Sequence, residues 1–281
     1  MGSTPRPGQE VSDIDFNVAH AARTYDYLLG GDANFAVDRE AIERGSAAHP
    51  GGTETARTNA RAQRAFLGRA VRYLAGEVGI RQFLDVGTGI PGADNVHAVA
   101  QQVARDVRVV YVDNDPVVLA HAHTLLKSTQ GGSTAYVDGD ARDPQRILAQ
   151  ATETLDFTGP VGVILVGILH VIRDEDDPYA IVAALLDPLP PASHLVISHL
   201  ANDIRAEEMA EVFERFNQTM GEPFTLRSHV EVARFFDGLT VVDPGVVPLN
   251  QWYPPGTPSA ETETGSDAAA IPAYGAVARK P

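Results

Sequence analysis

Apolar positions along this chain change their spacing near residue 82 and again after residue 202. From residue 17 to 78 they recur at helical intervals. Arg23-Thr-Tyr-Asp-Tyr-Leu-Leu29 carries that spacing and stops at Gly30-Gly31, which predicts a helix C-terminus. A second helix is predicted from Phe35 to Arg44, and His49-Pro-Gly-Gly52 reads as a loop. A long helix is predicted from Glu54 to Ala75, with Ala65, Leu67, Val71 and Leu74 facing inward. From residue 82, short apolar runs alternate with helical stretches. The runs are Gln82–Val86, Val107–Val112, Ala135–Val137, Val161–Val166 and His194–Ser198. The helices between them cover Ala93–Ala104, Pro116–Leu126, Pro144–Ala151 and Tyr179–Leu186. Continuous Val/Ile/Leu runs mark strands buried on both faces, so the pattern predicts a parallel sheet with helices on each side. After residue 202 a helix is predicted from Ile204 to Met220, and Ser228-His-Val-Glu231 is a capping box opening another through Phe236. Leu239–Val247 and Tyr274–Ala278 then read as two strands pairing antiparallel at the sheet edge. Residues 1–14 read as a disordered tail, and Pro254–Ala270 as a mobile loop.

Composition narrows the function. With 281 residues, 44% of them hydrophobic, the chain can fill one α/β domain and an added segment. It has no cysteine, which excludes disulfides and zinc-thiolate sites. The net charge of -15 opposes nucleic acid and anionic membrane as partners. No run is apolar enough for a signal peptide or a bilayer span, so a cytoplasmic location is expected. Arg23, Arg39, Arg44, Arg57, Arg61, Arg64, Arg69 and Arg72 cluster early and read as solvated helix faces. The acidic run Arg173-Asp-Glu-Asp-Asp177 has only His170 nearby as a histidine partner. It reads as a solvated loop opening a helix, and no metal is expected.

The strongest local signal is Phe83-Leu-Asp-Val-Gly-Thr-Gly-Ile-Pro-Gly92, a strand running into a helix. Gly87, Gly89 and Gly92 satisfy G-x-G-x-x-G, a spacing shared by dinucleotide and S-adenosylmethionine folds. Three acids bear on the choice. Asp85 ends the first sheet strand, Asp113 the second, and Asp140 follows the third, which places all three at the carboxyl edge where open α/β sheets bind ligands. Asp113 suits a ribose hydroxyl under either cofactor. Asp85 discriminates: a pyrophosphate against this turn would be repelled by a carboxylate, whereas S-adenosylmethionine offers an ammonium for it. Asp140 can accept the adenine amino group while the Ala141 N–H meets a ring nitrogen.

The series Asp85-Val-Gly-Thr-Gly89, Tyr111-Val-Asp-Asn-Asp-Pro116 and Asp138-Gly-Asp-Ala-Arg-Asp143 resembles the class I, Rossmann-like S-adenosylmethionine-dependent methyltransferases. The chain is more similar still to an actinobacterial family of S-adenosyl methyltransferases long filed as a domain of unknown function. Arg23 to Gly31 with Asn34-Phe35, then Ala233–Leu239, Pro244–Val247, Trp252 and Tyr274–Lys280, carry that likeness over nearly the whole chain. The resemblance implies a seven-stranded, mostly parallel α/β sheet with an antiparallel edge strand and helices on both faces. It also implies a helical cap over residues 15–80 preceding a cofactor-binding domain over 81–281. Asp85, Gly87, Thr88, Gly89, Asp113, Asn114, Asp140, Ala141, Gly167 and Leu169 are the implied cofactor residues.

In such enzymes the sulfonium lies over the end of the fourth sheet strand, here Val163-Ile-Leu-Val-Gly-Ile-Leu-His170. This stretch lacks the Asn/Asp-Pro-Pro-aromatic motif of adenine- and glutamine-modifying relatives. It has Gly167 where metal-dependent catechol-type enzymes place an aspartate. A Leu-His pair here resembles small-molecule methyltransferases. His170 is the base candidate, with a structural or packing histidine as its alternative. His199 is a weaker candidate of the same kind, and His97 reads as a helix residue. Tyr25, Asp26, Asp32 and Asn34, beside Gly30-Gly31, are candidate substrate contacts on a hinged cover. The expected activity is methyl transfer to a small molecule. A non-catalytic binder of S-adenosylmethionine or its product, and a nicotinamide-dependent oxidoreductase, are the alternatives. Neither the acceptor nor the oligomeric state is legible in the sequence.

Overall fold

A computed structural model describes residues 15–47, 49, 51–92, 94–125, 131–257 and 270–281. The tail expected over 1–14, and residues 258–269 of the loop expected over 254–270, lie outside the described residues. The sheet strands are β1 (Gln82–Val86), β2 (Arg108–Asp113), β3 (Ser133–Asp138), β4 (Gly162–Val166), β5 (His194–Leu200), β6 (Thr240–Val241), β7 (Val247–Pro248) and β8 (Ala273–Arg279). They line up as β3-β2-β1-β4-β5-β8-β6, with β7 also on β8. β1 to β5 are parallel. β8 runs antiparallel to β5 and pairs antiparallel with β6 and β7. The single edge strand expected over Leu239–Val247 is therefore two short ones. The Asp243-Pro244-Gly245 turn separates them, closed by Gly245 N–H donating to Val242 O at 2.9 Å. Proline has no N–H for a ladder, so pairing lapses there.

Alternate side chains of the parallel strands feed two cores. Leu84, Val110, Val163 and Ile197 face one, where they meet α6 (Pro144–Ala151), α7 (Pro178–Leu186) and Phe235. Phe83, Val109, Ile164 and Val196 face the other, under α3 (Gly52–Tyr73), α4 (Val96–Val103) and Trp252. The inward stripe of α3 differs from expectation by one residue. Ala65 is exposed, while Phe66, Leu67, Ala70 and Val71 are buried and continue into Leu74. The bulkier ring takes the inward position, and Trp252 packs edge-on against it at 5.3 Å.

The remaining helices are α1 (Ala21–Leu29), α2 (Ala36–Ser46), α5 (Pro116–Leu125), α8 (Ala206–Asn217) and α9 (His229–Ala233). α9 is opened by the expected capping box: Ser228 Oγ accepts from Glu231 N–H, and Glu231 accepts from Ser228 N–H. Among the described residues no helix is long and apolar enough to cross a membrane. Two arginines expected on solvated faces are structural. Arg23 is buried, and Arg69 donates to Trp252 O (2.8 Å) and Leu249 O (2.6 Å), tying the C-terminal strap to α3. Arg39, Arg44, Arg61 and Arg72 are exposed as expected.

The segment after β4 hangs on Arg227, which is 2% exposed. Its guanidinium donates to Leu169 O (3.0 Å), Ile172 O (3.0 Å), His199 Nε2 (2.7 Å) and Asp174 (2.6 Å). The acidic run is thus no purely solvated loop: Asp174 takes Arg227, Asp176 takes Arg142, and Asp177 caps α7. Arg227→Met strands two buried carbonyls and an imidazole nitrogen, each costing about 1–3 kcal/mol. We expect a stability loss of about 3 kcal/mol or more in chemical denaturation; a loss below about 1 kcal/mol contradicts this anchoring role.

Candidate active site

Strand order reverses between β1 and β4, and a crevice opens at the carboxyl ends of the strands there. The turn leaving β1 is set by Gly87 and Thr88, whose N–H groups both donate to Val112 O, at 2.8 and 3.2 Å. Gly87 (φ 75°) and Gly89 (φ 67°) occupy the left-handed region. A Cβ on Gly87 would fall 2.6 Å from Ile168, whereas one on Gly89 would meet no protein atom within 4 Å. The loop runs on to Asn95, whose side chain accepts from Gly92 N–H at 3.0 Å, so α4 begins three residues later than expected.

The three acids converge on this crevice. Asp85 is buried, and burial lifts its carboxyl to a pKa of about 7; Arg64 and a 3.2 Å hydrogen bond from Thr88 Oγ1 work against that rise. Asp113 accepts from Gly89 N–H (2.8 Å) and from Asp115 N–H (3.0 Å). Burial again raises its pKa, against those bonds. Asp140 forms an Asx turn to Arg142 N–H (2.9 Å) and receives Asn114 Nδ2 (3.2 Å). Arg142 also reaches Asp140, Asp176, Glu222 and Val171 O, knitting the ends of β3 and β4 to the segment after α8. Asp85, Gly87, Thr88, Gly89, Asp113, Asn114, Asp140, Ala141, Gly167 and His170 all line one cavity. Leu169 does not: its side chain is fully buried in the core, and its carbonyl is held by Arg227.

The far wall comes from α1, α2, α3 and α8. Tyr25 lines the cavity and donates to Ala60 O at 3.2 Å, with burial pushing its hydroxyl up to about 12. Asp26, Asp32 and Asn34 do not line it; Asp32 and Asn34 lie in the turn between α1 and α2, and Asp26 faces that turn from the last part of α1. Asn34 Nδ2 donates to Asp26 (2.8 Å) and to Gly31 O (2.9 Å), and Asp32 is exposed. Gly30 is a left-handed cap and Gly31 lies against the Asp26 carboxylate, so this pair is tied down locally. Several lining residues escaped the sequence reading: Asn59, Gln63 and Arg64 on α3, and Met209, Val212, Phe213 and Phe216 on α8. The i, i+4, i+5 spacing of Asn59, Gln63 and Arg64, along one side of the helix, was the available signal.

His20 also lines the cavity and is 2.7 Å from Asp115. Burial opposes its protonation, but Asp115 more than offsets this, so its pKa is raised. Reciprocally, burial would raise Asp115, yet the His20 bond and charge hold it low. Cover and strand end are thereby latched together. His170 is buried, its Nδ1 has no hydrogen-bond partner, and its ring lies 4.4 Å from Phe224. Burial, with His199 and Arg227 nearby, drives its pKa well below the usual value, so the imidazole is neutral. His199 is spent on structure, bonded to Leu200 O and Arg227, as is His97, bonded to Tyr111. Among the described residues no three potential ligands are grouped to hold a metal ion. A buried acid beside open glycine backbone suits a cationic, phosphate-free ligand, and a neutral imidazole can accept a hydrogen bond from a hydroxyl or amine.

A family model described as S-adenosyl methyltransferase matches residues 7–281. Among solved structures, the chain is similar to a DUF574 family protein from Streptomyces avermitilis MA-4680. That match has 43% identity and a TM-score of 0.87, covering 95% of this chain and 99% of the other. It is also similar to a candidate methyltransferase from Thermobifida fusca YX, at 35% identity and a TM-score of 0.81, over 95% and 96% of the two chains. No curated protein matches the chain significantly.

Two glycine substitutions separate packing from strain. Gly87→Ala combines left-handed strain with overlap on Ile168, for an expected loss of about 3 kcal/mol. Gly89→Ala carries the strain alone, about 1–2 kcal/mol. Denaturant unfolding of both variants checks the order, and equal losses contradict it.

Proposed function

This chain belongs to the S-adenosyl methyltransferase family, and from that premise we propose that its switch-point cavity brings S-adenosylmethionine to a small-molecule acceptor. The observation that carries the reading is the buried Asp85 carboxylate at the end of β1. A pyrophosphate there meets a like charge, while an ammonium meets its counterion. Asp113, held by two backbone N–H groups, keeps lone pairs for the ribose hydroxyls, with Asn114 beside it. Asp140 and the Ala141 N–H take the adenine edge. Gly87, Thr88 and Gly89 let the backbone approach the nucleoside, and Gly167 leaves the end of β4 without a side chain. When bound, S-adenosylmethionine supplies an activated methyl group on a cationic sulfur.

The chain's own residues then position and deprotonate. His170, neutral and buried, accepts the proton that an attacking hydroxyl or amine gives up. Tyr25 and the helices of residues 15–80 form a cap on the 81–281 domain and exclude water; fixing the acceptor in line supplies much of the rate. A cavity set between the helices and the strand ends, and the net charge of -15, favour a small molecule over nucleic acid.

Calorimetric titration with S-adenosylhomocysteine and NAD tests the reading. We expect saturable binding of the first and none of the second; tight NAD binding alone overturns the assignment. Asp85→Asn should weaken S-adenosylhomocysteine binding about tenfold or more, the worth of a charge-assisted hydrogen bond. The pH dependence has a definite sign. The free protein holds the Asp85 proton up to a pKa of about 7. Ligand ammonium selects the ionised form, so affinity rises with pH below about 7 and flattens above it. Asp85→Asn removes that slope, and an unchanged slope in the variant contradicts the assigned contact.

A further inference from the structure

Beyond the strand ends, one wall of the cavity changes character. Phe213 and Phe216 of α8, Met220, Phe224, and Leu28 and Ile42 of the cap form a single hydrophobic cluster, and all six line the cavity. The three phenyl rings are arranged around one another. Phe213 and Phe224 are stacked, with centroids 6.0 Å apart and planes 27° apart. Phe216 meets each edge-on, at 5.6 and 5.0 Å. Phe224 in turn packs on the His170 ring at 4.4 Å. Thus the apolar wall adjoins the one buried imidazole that follows β4, and that imidazole has a nitrogen without a partner.

The charged groups of the cavity stand at strand ends or are already engaged. Asp85, Asp113 and Asp140 stand at strand ends, His20 is paired with Asp115, Glu222 is engaged by Arg142, Arg64 donates to Asp94 O, and His49 is paired with Glu208. A charged acceptor placed against the phenyl wall loses hydration without a matching counterion. A flat ring gains stacking, edge and sulfur contacts from the same wall.

We propose that this wall is the acceptor site, and that it takes a neutral, largely apolar aromatic molecule presenting one hydroxyl or N–H toward His170. This rests on the methyltransferase reading of the same cavity and adds the acceptor's chemical class. Phe213, Phe216 and Phe224 hold the ring system, Met220 adjusts to its outline, and His170 receives the hydrogen bond of the single polar group.

The test uses the full chain and three naphthalene probes, each titrated with S-adenosylhomocysteine present and absent. 2-Naphthol should bind saturably, at least tenfold tighter than anionic 2-naphthoate, and several-fold tighter than 2-methylnaphthalene, which lacks the hydroxyl. Phe213→Ser should weaken 2-naphthol at least fivefold while changing S-adenosylhomocysteine affinity less than twofold. Val212→Asp, on the same helix, gives a second variant with the same expectation should the first fail to fold. Protein that binds S-adenosylhomocysteine but not 2-naphthol overturns the acceptor class and leaves the cofactor reading standing. Binding of 2-naphthol without S-adenosylhomocysteine does the reverse. Preference for 2-naphthoate, or 2-naphthol affinity unchanged in folded variants, also overturns the proposal.

Discussion

The site is organised around a carboxylate taken out of water. Asp85 lies near the end of a central strand, where burial raises its pKa to about 7. Arg64 moderates that rise from α3 and Thr88 from the turn. An isolated buried charge of this kind costs several kcal/mol unless it is paired or protonated. A ligand that brings a positive group gains the difference. The helices over the strand ends and the turn therefore have a shared consequence: they keep Asp85 out of water.

The rest of the local structure keeps that carboxylate facing open backbone. Asp113 pins Gly89, so the second strand controls the turn of the first. Arg142 gathers Asp140, Asp176 and Glu222, and Arg227 holds the segment carrying His170 by its carbonyls. His20 ties the start of α1 to Asp115. Apart from Arg142 with Asp140, each of these contacts joins residues distant in sequence, and each fixes a strand end or a segment packed over it. The cavity is thus a product of the strand ends, the loops that leave them and the helices packed over both.

That division explains what was legible in the sequence. Continuous apolar runs located the five parallel strands to within two residues at each end, because strands buried on both faces leave no polar interruptions. The three acids were legible because each lies at or just past the end of one of those runs. Arg64 and Gln63 were not, because arginine and glutamine on a helix look alike whether they face water or a cavity. The phenyl residues of α8 are covered in the sequence only by a helix over Ile204–Met220, since periodicity gives a helix without naming what its faces meet. Asp26 and Asn34 misled in the opposite direction: a polar pair beside two glycines served a turn, with its hydrogen bonds satisfied locally. Leu169 stood between two cavity-lining neighbours, Ile168 and His170, yet a one-turn 3₁₀ segment rotated it into the core.

The most direct measure of the central claim is the proton count on ligand binding. Calorimetric titration of S-adenosylhomocysteine at pH 6, in buffers of different ionisation enthalpy, reports it. A carboxyl with a pKa of about 7 that is ionised in the complex releases about one proton per site, and Asp85→Asn abolishes that release. No release from the unsubstituted protein, or net uptake, would contradict a charge-selecting Asp85.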